Sequence, residues 1–219
     1  MKKLQITSAI TFVSAWLVGL ALAASGPKPS DTAQTIANYY ASHEHTSVLA
    51  NLLIDGIAGA AIIALAVGLR RYLNNHSKLT TWMYAAGFAA GITSLFQAAI
   101  GETMTYRAAH GASPASVRTL FDVLNNADSV KIASLALMIG AASLLARRAG
   151  AFPRWLATSG LWFAPLLALS GTAFPLNSSA IYATLELTLI GLLTWVIAST
   201  VTIARRSPRR EAATAVATA

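Results

Sequence analysis

Twelve of the sixteen basic residues in this 219-residue chain fall into four short clusters, and pairs of long apolar stretches separate the clusters. They are Lys2-Lys3, then Arg70-Arg71 with Lys78, then Arg147-Arg148 with Arg154, then Arg205-Arg206 with Arg209-Arg210. The other four basic residues are Lys28, Arg107, Arg118 and Lys131. All acidic residues but Glu211 lie in the alternate connecting segments or inside the apolar stretches. A chain that crosses a bilayer repeatedly, with its basic side in the cytoplasm, carries this signature. Only 11% of the residues are charged, against about a quarter in a soluble domain, so lipid replaces water as the solvent around most of the chain.

The expectation is an all-α polytopic helical bundle forming a single domain over residues 1–204. Six spans are expected, at about 7–24, 46–69, 80–100, 128–146, 155–174 and 179–204, with both termini cytoplasmic. Each is long enough to cross a hydrocarbon core of about 30 Å. The apolar runs are continuous, not alternating, which excludes a membrane β-barrel. The first span also resembles a signal peptide: a basic start, an apolar middle and Ala21-Leu22-Ala23 as a cleavage site. Uncleaved, it is the first of six helices. Short basic-side turns are expected at 70–79 and around Pro153, and an opposite turn at 175–178. Residues 205–219 form a polar cytoplasmic tail, expected to be disordered in its Ala/Thr-rich end.

Two further helices are expected on the outer side. Pro27 and Pro29 break the chain, Ser30-Asp31 starts a helix, and Ala33, Ile36, Ala37 and Tyr40 recur at helical spacing. This predicts an amphipathic helix over 31–42, lying on the membrane surface with Tyr39 and Tyr40 as interfacial anchors. Ser113-Pro114 caps a second one, 114–126, with Val117, Leu120, Phe121 and Leu124 on one face. It is expected inside a long loop, 101–127, folded over the bundle mouth.

The stretch Arg147-Arg148-Ala149-Gly150-Ala151-Phe152-Pro153-Arg154-Trp155-Leu156 resembles the Pro-Arg-Trp-Leu turn that follows the fourth span in a family of bacterial six-helix membrane proteins of unknown function. Ile36-Ala37-Asn38-Tyr39-Tyr40 is similar to the same proteins. The resemblance implies a six-helix fold in the bacterial inner membrane. It brings no catalytic residues with it.

Candidate chemistry rests on polar residues within the spans. Asp55 lies in span two, Glu186 in span six, Lys131 near the outer end of span four, and Gln97 and Glu102 near the outer end of span three. Charges at such depth cost several kcal/mol unless they face the bundle interior and pair. A polar pocket opening outward is expected, lined by Asp55, Glu186, Lys131, Gln97 and Glu102, with Lys131 neutralising a carboxylate. The alternative is polar glue between helices. Gly56 and Gly59 after Asp55 suit either a reachable backbone or tight packing, and Gly87-x-x-x-Gly91 marks a close helix contact, in this chain or in a homodimer. His43, His45 and His110 are weak metal candidates, because His-x-His can ligate a transition metal.

Cysteine is absent, so thiolate chemistry is excluded. No hydrolase, metalloprotease, nucleotide-binding or dinucleotide-binding motif is present, no cofactor is implied, and an enzyme is the less favoured class. The +8 net charge flanks spans instead of forming a patch, so the expected partner is the bilayer and not nucleic acid. Three readings follow in order: a small-ligand or ion binder or transporter, an accessory subunit docking another membrane protein, and a membrane enzyme on lipid-like substrates.

Overall fold

The computed structural model describes residues 2–73, 77–176 and 179–217. The chain forms seven helices. They are α1 (Lys2–Ala23), α2 (Ala33–Ser42), α3 (Glu44–Leu73), α4 (Lys78–Ala109), α5 (Pro114–Arg148), α6 (Arg154–Ser170) and α7 (Ser179–Ala217). A single turn of helix, Ala173–Leu176, links the last two. The middle of the 70–79 turn and the Asn177-Ser178 turn lie outside the described residues.

Among the described residues five segments are long and apolar enough to cross a membrane: Lys3–Ala23, Glu44–Leu73, Lys78–Ala109, Pro114–Arg148 and Thr184–Arg205. The expected fifth span, 155–174, is instead the 17-residue α6 with Pro165 inside it. It stops at Ser170, where Ser170 Oγ donates to Leu167 O at 2.8 Å and Thr172 Oγ1 to Leu169 O at 2.7 Å. These carbonyls also accept from Gly171 N at 3.2 Å and Thr172 N at 3.0 Å, so the last turn is closed by backbone and hydroxyl together. At about 26 Å, α6 falls just short of a 30 Å core.

Six helices close into a ring in chain order. α1 packs on α3, α3 on α4, α4 on α5, α5 on α6, α6 on α7, and α7 returns to α1. Phe12 and Trp16 of α1 stack at 5.5 Å and are buried against the ring. Small residues dominate the interior, among them Ala58, Ala66, Ala90, Ala142 and Ala157, each fully buried. Ile10, Phe96, Trp162 and Leu187 stand exposed on the outside. Small inside and large apolar outside is the distribution expected where lipid, not water, surrounds the bundle. Gly87 and Gly91 are spent within the chain. A Cβ on Gly87 would meet Ala66 Cβ at 2.5 Å, and one on Gly91 would lie 2.8 Å from Gly59 O, so this pair serves α3–α4 packing and not a homodimer.

The 101–127 region departs most from expectation. α4 and α5 are 32 and 35 residues long, or about 48 and 52 Å, and only residues 110–113 connect them. The two make one continuous hairpin, so the amphipathic segment 114–126 is the start of α5 and no separate helix. The turn is tight because Gly111 takes φ +76°, and Ser113 Oγ caps the next helix by accepting from Ser116 N. α2 forms two residues shorter than expected, starting after a Thr32 N-cap and not at Ser30-Asp31. Its apolar face does not lie on the membrane. Ile36 and Ala37 are buried against Met104, Ala108, Val117 and Phe121 at the tip of the hairpin. The overhang gives α2 a protein surface to cover, which no local pattern discloses. Burial pushes the Tyr40 phenol pKa upward here, with Tyr39 adding to the shift. At the other end α7 runs on through the basic cluster to Ala217, where a disordered tail was expected.

Candidate functional site

Between α3, α4 and α5 the ring encloses a charge cluster. Lys131 Nζ on α5 donates to Asp55 Oδ1 on α3 at 2.8 Å, and lies 2.6 Å from Asp128 Oδ1, one turn earlier on its own helix. Ser94 Oγ on α4 donates to the same Asp55 oxygen at 3.2 Å. Asp55 and Lys131 are 5% and 3% exposed, while the side chain of Asp128 is 19% exposed. Asp128 is therefore the most exposed member of the cluster.

The backbone around Asp55 is built for this contact. Residues Leu52–Ile57 are π-helical within α3. The wider turn inserts a residue into the register, a feature found frequently at functional sites. Asn51 and Asp55, four residues apart, both face α4, against Gly101 and Ser94. One turn beyond Asp55, α3 and α4 touch backbone to backbone: a Cβ on Gly59 would lie 2.9 Å from Ser94 Cβ and 3.1 Å from Gly91 O. That approach brings the short Ser94 side chain within reach of Asp55. Gly59 thus serves packing.

Of the residues expected to line one pocket, Asp55 and Lys131 meet. Gln97 stands one turn from Ser94 on the same face of α4, completely buried, its Nε2 donating to Leu124 O at 3.0 Å. Glu102 is half-buried further along α4. Glu186 does not join them. It is exposed on α7, which packs on α1 and α6. The ring order puts α7 on the far side of α1 and α6 from the cluster, and helix order cannot be read from spacing along a chain.

Sequence reasoning misses Asp128 and Ser94. Asp128 stands at the edge of the expected span 128–146, and its i,i+3 spacing to Lys131 is a readable ion-pair signal. Ser94 carries no such signal. The histidines do not converge either. His43 and His110 each cap the helix they follow, with Nδ1 3.1 Å from Tyr39 O and 2.9 Å from Tyr106 O, respectively. His45 is exposed. Among the described residues no group of three His, Cys, Asp or Glu side chains is placed to hold a metal ion.

No family model, curated protein or solved structure matches this chain. The five long apolar helices among its described residues make it a multi-pass membrane protein in contact with lipid.

Proposed function

We propose that this protein binds a small cation, with the proton as the simplest case, at the Asp55–Lys131–Asp128 cluster. Two carboxylates share one ammonium, which leaves one negative charge at a site almost closed to solvent. That imbalance is the observation that carries the reading. A buried net charge is costly, and a bound proton or small cation removes it. Asp128, the partly exposed member, is the entry point.

The basic ends of α3, α5, α6 and α7 mark the cytoplasmic side, following the positive-inside bias, and the resemblance at Pro153–Leu156 fits the bacterial inner membrane. Counted from Arg70, Lys78 and Arg147, the residues Asp55, Ser94 and Lys131 all lie about 22–24 Å along their helices. The cluster then sits in the outer third of a core about 30 Å thick, which makes the site outward-facing.

Thermal unfolding in lipid nanodiscs tests this, with Na⁺, K⁺ or Li⁺ exchanged for choline at constant ionic strength and with pH varied separately. The wild-type midpoint should rise with the bound cation or with acidification, and Asp128→Asn should abolish that response. A wild-type midpoint indifferent to every cation and to pH refutes the proposal and leaves the cluster as a structural brace.

A further inference from the structure

From the cluster toward the α2 end, a row of buried polar groups runs along the α3–α4 seam. On α3 it comprises Asp55, Asn51 and Ser47; on α4 it comprises Ser94, Gln97, Gly101 and Thr105. Two contacts fix the rows against each other. Ser94 bonds to Asp55 at 3.2 Å, and the Asn51 side chain lies directly over Gly101, whose missing Cβ would fall 2.6 Å from Asn51 Nδ2. Gln97 occupies the turn between these two points.

Asp55, Ser94, Thr105 and the Gln97 Nε2 are bonded within the protein, but three polar atoms along this row lack protein partners. Ser47 Oγ, Asn51 Nδ2 and Gln97 Oε1 are all buried without a hydrogen bond to the protein, as is Ser129 Oγ next to Asp128. Gln97 is 0% and Ser47 6% exposed. One orphaned polar atom in a core is an oddity. Ser47, Asn51 and Gln97, spaced by about one helical turn, form a row that ordered water would satisfy, as it does other buried polar groups without protein partners. Gly101 is what lets the Asn51 side chain sit in the seam, since any Cβ there would collide with it.

We propose that Ser47, Asn51 and Gln97 line a file of water that connects the charge cluster to the bundle end covered by α2. It rests on the reading of the cluster as a cation or proton site and supplies that site's access route: water at Ser47, then Asn51 and Gln97, then Asp128 and Asp55. The basic end has no part in the route, so exchange occurs from one face of the membrane.

The chain contains no cysteine, so Ser47→Cys, Asn51→Cys and Gln97→Cys each introduce the sole thiol. Leu137→Cys on the exposed apolar surface of α5 is the dry control. A small membrane-impermeant methanethiosulfonate added from the α2 side should label all three file positions at least roughly tenfold faster than Leu137→Cys, because only a hydrated thiol ionises to react. Labelling at Asn51→Cys and Gln97→Cys no faster than at the control overturns the file. Water-to-side-chain magnetisation transfer to the Asn51 and Gln97 amides by solid-state NMR asks the same question of the unaltered protein, and no transfer also overturns it. Neither measurement depends on cation binding. A dry seam in a cation-responsive protein removes the file alone, and a wet seam in an unresponsive one removes the cluster's role alone.

Discussion

Replacing Lys131 with Met keeps the length and apolar stem of the side chain and removes one charge. Asp55, 5% exposed, is then left with the Ser94 hydroxyl at 3.2 Å as its described partner, and Asp128 loses its 2.6 Å contact. Removing one partner of a buried ion pair costs about 3–5 kcal/mol, because the remaining charge stays desolvated. On the scale of domains this size, 1 kcal/mol corresponds to about 2–4 °C, so Lys131→Met should lower the unfolding midpoint by roughly 6–20 °C. Tryptophan fluorescence in nanodiscs reads this directly, since the chain has five tryptophans. Adding Asp55→Asn and Asp128→Asn to Lys131→Met should restore most of the loss, because no uncompensated charge then remains. A single variant within about 2 °C of wild type, less than 1 kcal/mol on the same scale, refutes the argument that the cluster is both desolvated and mutually dependent. A loss that the triple variant does not restore refutes it as well, by showing that packing and not charge was at stake.

Asp128→Asn alone should change the midpoint by no more than about 1 kcal/mol in either direction, since it leaves a balanced Asp55–Lys131 pair and its own side chain is near the surface. Gly59→Ala should cost about 1–3 kcal/mol through backbone collision with Gly91 and Ser94, and guanidinium-free thermal melts would register it. Arg118 Nη1 and Nη2 donate to Asp31 O at 2.7 Å and Pro29 O at 2.9 Å. Arg118→Gln should therefore raise amide exchange or proteolysis in residues 27–32 while the global midpoint stays unchanged. The Tyr40 phenol has its pKa raised in the folded chain, so its neutral form contributes stability below an unfolded value of about 10, lost as pH rises through the folded one. Alkaline undocking of α2, followed by exchange at Ile36 and Ala37, should be weakened in Tyr40→Phe.

The alternation of basic clusters and apolar runs in the chain was enough to establish helices, lipid exposure and most span positions. Long uncharged runs have no other stable form in hydrocarbon, where every backbone group must be bonded within its own segment. Local signals were sufficient for the Ser113-Pro114 cap and the pairing need of Asp55 and Lys131, since capping and the cost of a lone intramembrane charge both act within a turn or at a known depth. The remaining features came only with the tertiary structure. Gly101 and the polar run after it looked like a loop, yet they continue α4, because Met104 and Ala108 have Val117 and Phe121 to pack on across the hairpin. Ile36 left the membrane surface for the same reason. Glu186 and Asp55 were equivalent as isolated intramembrane carboxylates; the closed ring order α1–α3–α4–α5–α6–α7 separated them. The Gly59–Gly91 contact then brought Ser94 to Asp55, and the packing of α5 on the same seam brought Lys131 with Asp128. Spacing along a chain reports which face of its own helix a residue occupies. Which other helix that face meets depends on how all six close, and that is a property of the packed bundle alone.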